Sequence, residues 1–128
     1  MAGRRKLQGT IRKADGCVEC QSDERCYVRE LSNVPEEAEL SIGEARVAPG
    51  IVTAWHHLNI ITERYVITSG TAQVEVGDEP PAGVSAGDVI TIPPGVRQRI
   101  TNSGDQDLTF LCICTPRFEW RYYQRLES

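Results

Sequence analysis

Residues 50–70 read GIVTAWHHLNIITERYVITSG, and residues 87–102 read GDVITIPPGVRQRITN. Both stretches open on glycine and carry β-branched and aromatic residues in short runs, and turn residues break each run before a helix could form. In a strand, successive side chains point to opposite faces. Over 63–69, Glu63, Tyr65 and Ile67 therefore share one face, and Arg64, Val66 and Thr68 share the other. The same alternation joins His56 to Leu58, His57 to Asn59, and Gln98 to Ile100. A carboxylate on the face of a tyrosine and an isoleucine is the informative feature. If that face is inward, Glu63 is a costly buried carboxylate unless it is paired or bound to a metal.

Working outward, the same texture runs from about Cys26 to Cys114. Strands are predicted at Cys26–Leu31, Glu44–Ala48, Thr53–Ile60, Glu63–Ser69, Ala72–Val76, Asp88–Ile92, Arg97–Thr101 and Leu108–Cys114. Between them stand Pro49-Gly50, Ser69-Gly70, Gly77-Asp78, Pro80-Pro81, Gly87-Asp88, Pro93-Pro94-Gly95 and Ser103-Gly104. Short, evenly punctuated strands without a long helical stripe indicate an all-β sandwich or barrel. Val34–Glu39 has room for one helical turn, and the aromatic tail Glu119–Leu126 is expected as a short helix. The expected organisation is an N-terminal segment (residues 1–25) that is partly extended or flexible, a barrel (26–116) and a tail (117–128).

The 128 residues suit one domain with one core. With 14 basic against 18 acidic residues, the chain lacks the basic excess of a general nucleic-acid binder. Its basic start (Arg4, Arg5, Lys6, Arg12, Lys13) has no interleaved aromatics and reads as a solvated segment. No run of ~20 apolar residues and no signal core is present, so no membrane partner is expected and the location is expected to be cytoplasmic. Five cysteines (17, 20, 26, 112 and 114) follow no secreted disulfide framework. Cys17, Cys20 and Cys26 lack a fourth ligand for structural zinc and read as unpaired thiols. Cys112 and Cys114 share one face of the last strand and are expected to be buried and inert, with Cys114 a candidate for the cavity wall.

The spacing of the two opening stretches resembles the two motifs of the cupin superfamily. The first has Gly50, five residues, His56, one residue, Leu58, four residues, Glu63, six residues and Gly70. In the second, Gly87 is followed by five residues, Pro93, Pro94, Gly95, two residues, Gln98, three residues and Asn102. Every fixed position matches except two metal-ligand positions, which hold Leu58 and Gln98. The resemblance implies a double-stranded β-helix, or jelly-roll barrel, spanning about Gly43 to Pro116. It also implies one divalent metal ion (Fe, Mn, Ni or Zn), here with His56, Glu63 and Gln98 as the candidate ligands, and a homodimer. Leu58 has no donor atom, and a carboxamide oxygen is a weaker ligand than imidazole. Sliding the register by one would put His57 inward in place of His56.

Fold leaves function open. The first expectation is a metal-dependent protein acting on a small organic molecule in the cavity, of dioxygenase, isomerase or lyase class. Glu63 and Tyr65 are its catalytic candidates, although Tyr65 reads first as a core aromatic whose hydroxyl lines the cavity. The alternative is a non-catalytic binding module with a degenerate, metal-free site, in which His56 hydrogen-bonds to Glu63. Arg64, Arg97 and Arg99 alternate away from Glu63 and Gln98 and are expected at the surface; Trp55 alternates away from His56.

Overall fold

The structure, a computed structural model, describes residues 9–127. The basic residues Arg4, Arg5 and Lys6 lie outside the described residues. Eleven strands follow in chain order: β1 (Glu19–Gln21), β2 (Tyr27–Ser32), β3 (Ser41–Val47), β4 (His56–Leu58), β5 (Thr62–Ser69), β6 (Thr71–Val76), β7 (Ala82–Ser85), β8 (Val89–Ile92), β9 (Gln98–Asn102), β10 (Leu108–Thr115) and β11 (Tyr123–Arg125). They form two antiparallel sheets with the orders β1-β2-β3-β10-β5-β8 and β11-β4-β9-β6-β7. This is the all-β architecture that the strand texture predicts, in the jelly-roll form that the resemblance implies.

Alternation carries through where it matters. Along β5, Glu63, Tyr65 and Ile67 are buried while Arg64 and Thr68 are exposed. Along β9, Gln98, Ile100 and Asn102 are buried. On β4, His56 and Leu58 are buried and His57 is not, which settles the register in favour of His56. His57 instead turns its Nδ1 to the Gly95 carbonyl, 3.2 Å away. Gly70 shows why a glycine ends β5: its φ is +93°, and a Cβ there would lie 3.0 Å from the Asp107 carbonyl oxygen and the Leu108 Cα.

The interior has two parts. Val47, Ile67, Ile92, Ile100, Leu108 and Phe110 belong to one large apolar cluster that closes one end of the barrel. A smaller cluster of Leu58, Ile61 and Cys114, backed by Phe118, Tyr122 and Tyr123, sits at the other end. Between them lies the polar cavity.

The tail is not the expected helix. Trp120–Tyr122 makes a single 3₁₀ turn, and β11 then pairs with β4, matching Tyr123 to Leu58 and Arg125 to His56. The physical reason is the unpaired edge that β4 would otherwise present. Covering it satisfies backbone groups and lets Tyr122 and Tyr123 pack on Leu58 and Ile61, a gain that an isolated turn of helix cannot match. Two strands carry no sequence signal: β1, which pairs with β2, and β7, which pairs with β6. The one helical turn anticipated near Val34 is the 3₁₀ turn Pro35–Glu37. No helix among the described residues is long and apolar enough to cross a membrane.

Candidate functional site

β4, β5 and β9 deliver the three sequence-predicted side chains to one place. His56 pairs directly with Gln98 across the β4–β9 ladder. The Gln98 amide nitrogen donates to Glu63 Oε1 at 2.9 Å, and the Tyr65 hydroxyl donates to the Gln98 carbonyl oxygen. Glu63, Gln98, His56 and Tyr65 are all buried, at 7, 1, 3 and 5% exposure. Glu63, His56 and Tyr65, together with Ser41, Thr53 and three thiols, line one cavity, and Gln98 sits behind them, bonded to Glu63 and Tyr65. Phe110 lines its inner wall, and Phe118 and Trp120 lie towards its open side.

The protonation pattern follows from this geometry. His56 Nδ1 lies 2.7 Å from the Ala54 carbonyl oxygen, which can only accept, so Nδ1 carries the hydrogen. Nε2 is left as a free base. Burial depresses the imidazole pKa, although the Ala54 hydrogen bond and the nearby Glu63 oppose that shift. The ring is therefore neutral near pH 7. Burial acts in the opposite sense on Glu63, raising its pKa against the pull of His56 and the Gln98 hydrogen bond. With Oε1 taken up by the Gln98 N–H, Oε2 is the oxygen left to carry a proton. The Cys114 thiol lies 3.7 Å from that atom.

Sequence reasoning missed one further group. Glu24, from the turn between β1 and β2, reaches over the cavity and sets its Oε1 3.9 Å from His56 Nε2. Burial raises its pKa to about 7, partly offset by the Arg125 charge. The turn is held in place by Arg25, whose Nε donates to the Val52 carbonyl at 2.9 Å and whose guanidinium meets Glu127 at 2.8 Å. The Glu24 carbonyl accepts from the Ala54 N–H at 3.2 Å. Spacing rules do not reach Glu24, because it belongs to neither motif and arrives by a hairpin folded across the barrel.

Tyr65 is a cavity-wall residue rather than a free acid. Its pKa is pushed well up by burial, with Glu63 adding to the shift, and its hydroxyl is spent on Gln98. The thiols are likewise protonated. Burial lifts Cys26 to about 12 and drives Cys112 and Cys114 up as well, which leaves little thiolate for nucleophilic work. Cys26, expected among the free N-terminal thiols, lies instead in the cavity wall. Arg64 and Arg97 are exposed; Arg99 is half-buried against Glu75 at 2.7 Å, and both Arg97 and Arg99 stack over Trp55 outside the barrel.

The family model for the cupin domain matches residues 43–114. The chain belongs to the cupin family. Solved structures share its fold at low identity. A Streptomyces protein described as the nucleoside dehydratase Pac13 superposes with a TM-score of 0.78 at 13% identity, covering 94% of this chain and 92% of that one. A double-stranded β-helix protein from Klebsiella pneumoniae has a TM-score of 0.74 at 19% identity, covering 94% of this chain and all of the other. Oxalate decarboxylase from Bacillus subtilis has a TM-score of 0.76 at 21% identity, covering 93% of this chain but only 33% of that longer one. At these identities the likeness concerns the fold. No curated protein matches this chain by sequence.

Cupins often hold a metal, so the donor set must be weighed against one. Leu58 is buried against Ile61 and Cys114 and offers no donor atom. Gln98 turns its carbonyl oxygen to Tyr65 and presents an N–H, which cannot ligate, to Glu63. Among the described residues, no three His, Cys, Asp or Glu side chains converge on a point that could hold an ion. The residues do not fit a divalent metal; Tyr65, Gln98 and Glu63 form a hydrogen-bonded chain instead.

Proposed function

We propose that this cupin is an enzyme of lyase or isomerase type that transfers protons on a small polar molecule. The observation that carries this reading is one cavity holding a free imidazole nitrogen and two carboxyl groups, with environments that push base and acid in useful directions. A neutral histidine beside Glu63, a carboxyl group whose pKa burial raises, is a general base beside a general acid. In an elimination, His56 Nε2 takes a proton from carbon. Glu63 Oε2 gives its proton to the departing hydroxyl, which leaves as water, and the C–H electron pair becomes the new double bond. In an isomerisation, the proton is returned to a different carbon. Glu24 stabilises the imidazolium formed on His56, and Tyr65 keeps Gln98, and through it Glu63, oriented.

Deuterium provides a test that does not require the substrate to be identified first. The protein is incubated in D₂O with pools of small hydroxylated metabolites, and mass spectrometry reads deuterium gained at carbon or water lost. The expected result is turnover that falls about 10²–10⁴-fold in both His56→Asn and Glu63→Gln. Binding without exchange would instead favour the non-catalytic module. Stoichiometric metal in protein purified without a His-tag, absent from Glu63→Ala, would overturn the proton-network reading. It would restore His56, Glu63 and Gln98 as a ligand set, with the Gln98 amide turned over.

A further inference from the structure

We infer that the cavity selects uncharged or cationic molecules and rejects anions, with Glu30 at its mouth as a specificity residue. This rests on the reading of the cavity as a ligand site and adds the charge class of what enters it. The residues lining the cavity include Glu24, Glu30 and Glu63 but no lysine or arginine. The arginine next to this wall, Arg29, points away and is engaged with Glu44 at 2.6 Å. Arg125, whose charge reaches Glu24, is tied to the Asp23 carbonyl at 2.8 Å. A phosphate or carboxylate entering here would lose its water and meet no counter-charge, a costly exchange. An ammonium group would meet Glu30 at the mouth and Glu24, which ionises at about 7, and the aromatic faces of Phe118 and Trp120 add a surface on which a cation or a planar group can rest.

Glu30 takes its role from its position on β2. Cys26, Val28 and Glu30 follow one another along the lining face, passing from buried through half-buried to exposed. Glu30 therefore marks the open end. It forms no ion pair among the described residues, so its charge faces what approaches. Opposite it on β3 is Gly43, also in the cavity wall. A Cβ at Gly43 would meet nothing closer than the Arg29 carbonyl at 3.6 Å, an ordinary contact. The missing side chain keeps the space beside Glu30 open, and the position tolerates filling.

Three near-isosteric probes test the inference: tyramine (cation), tyrosol (neutral) and 3-(4-hydroxyphenyl)propanoate (anion). Binding is read from protein NMR shifts on titration, so no turnover is needed. The expected order places tyramine and tyrosol ahead, with the propanoate at least about tenfold weaker. In Glu30→Lys, the ratio of tyramine to propanoate affinity should fall by about tenfold, with Glu30→Gln between the two. Gly43→Val should weaken all three probes, which locates them in this cavity. The inference is overturned if the propanoate binds as well as tyramine, if the ratio ignores the charge at position 30, or if none of the probes binds. Because the readout is binding alone, the charge preference can hold while the deuterium experiment fails, and the reverse.

Discussion

Ile67 and Glu63 lie on one face of β5, with Tyr65 between them, and the barrel treats them in opposite ways. Ile67 is 1% exposed and packs in the apolar cluster that closes the barrel. Glu63 is almost as buried, yet its neighbours are His56, Gln98, Tyr65 and Cys114. The first end gains stability from every buried methylene. The second accepts desolvated polar groups and offsets their cost with hydrogen bonds. The difference separates the half of the interior that holds the fold from the half that gathers polar side chains around the cavity.

The sharpest way to break this contrast is to truncate both ends. Ile67→Ala should destabilise the protein by about 3 kcal/mol, since it removes a fully buried side chain from a packed core. Glu63→Gln is nearly isosteric and removes a group that burial disfavours in its charged form, so it should cost far less stability while abolishing turnover. Chemical denaturation of the two variants checks this. Equal losses would mean that the polar end is as structural as the apolar one. Next in size is Tyr65→Phe, which leaves the Gln98 carbonyl oxygen without its donor. About 1–2 kcal/mol is expected from an unmet buried acceptor. The same variant should weaken catalysis, because nothing then holds the Gln98 amide in register with Glu63.

What the sequence makes legible divides along the same line. Glu63, Gln98 and His56 alternate onto candidate inward faces, and their convergence is readable once their spacing is set against the cupin motifs. β5 and β9 announce themselves through β-branched residues and nearby glycines, and β10 through its apolar, β-branched run ending before Pro116. β7 does not, since Ala82–Ser85 offers one valine among small residues, and only its pairing with β6 makes it a strand. The tail misleads because aromatics and arginines suit a helix as well as an edge strand, and the deciding partner, β4, lies far back in the chain. Glu24 is hidden for the same reason. Its place over the cavity depends on how a short hairpin folds back, which no local pattern records. The turned amide of Gln98, which gives its carbonyl oxygen to Tyr65 and its N–H to Glu63, is a matter of packing that no local pattern records.

The two ends should also differ in their response to pH. Glu24 is raised from an ordinary 4.5 to about 7, and Glu63 is raised as well. A carboxyl group with a raised folded pKa favours the folded state at low pH, and this contribution is lost as pH rises from the unfolded value through the folded one. His56, being depressed, works the other way, but only below its unfolded value near 6.5. Above that pH the carboxyls act alone. Stability should therefore fall between pH 6.5 and 8, by on the order of 1 kcal/mol from Glu24. Glu24→Gln should flatten the slope, and Ile67→Ala should leave it unchanged while lowering the whole curve. Thermal melts across that range measure both; a slope that survives in Glu24→Gln and Glu63→Gln would place its origin outside the cavity.

The smallest effect concerns what holds Glu24 in place. Arg25 adopts a left-handed backbone conformation, with φ at +69°, and its side chain ties the turn to Val52 and to Glu127 near the chain's end. The Arg25–Glu127 pair is partly exposed, so its loss in Glu127→Gln should cost no more than about 0.5 kcal/mol. Arg25→Gly would relieve the backbone strain and remove both tethers, leaving net stability close to that of the parent. Turnover should respond differently. With the turn loosened, Glu24 is no longer held 3.9 Å from His56, and the imidazolium formed during proton transfer loses its nearest mobile counter-charge. A fall in kcat for Arg25→Gly, with unchanged denaturation behaviour, would identify the turn as part of the polar end, although it lies outside the barrel. An unchanged kcat would confine the chemistry to the strands.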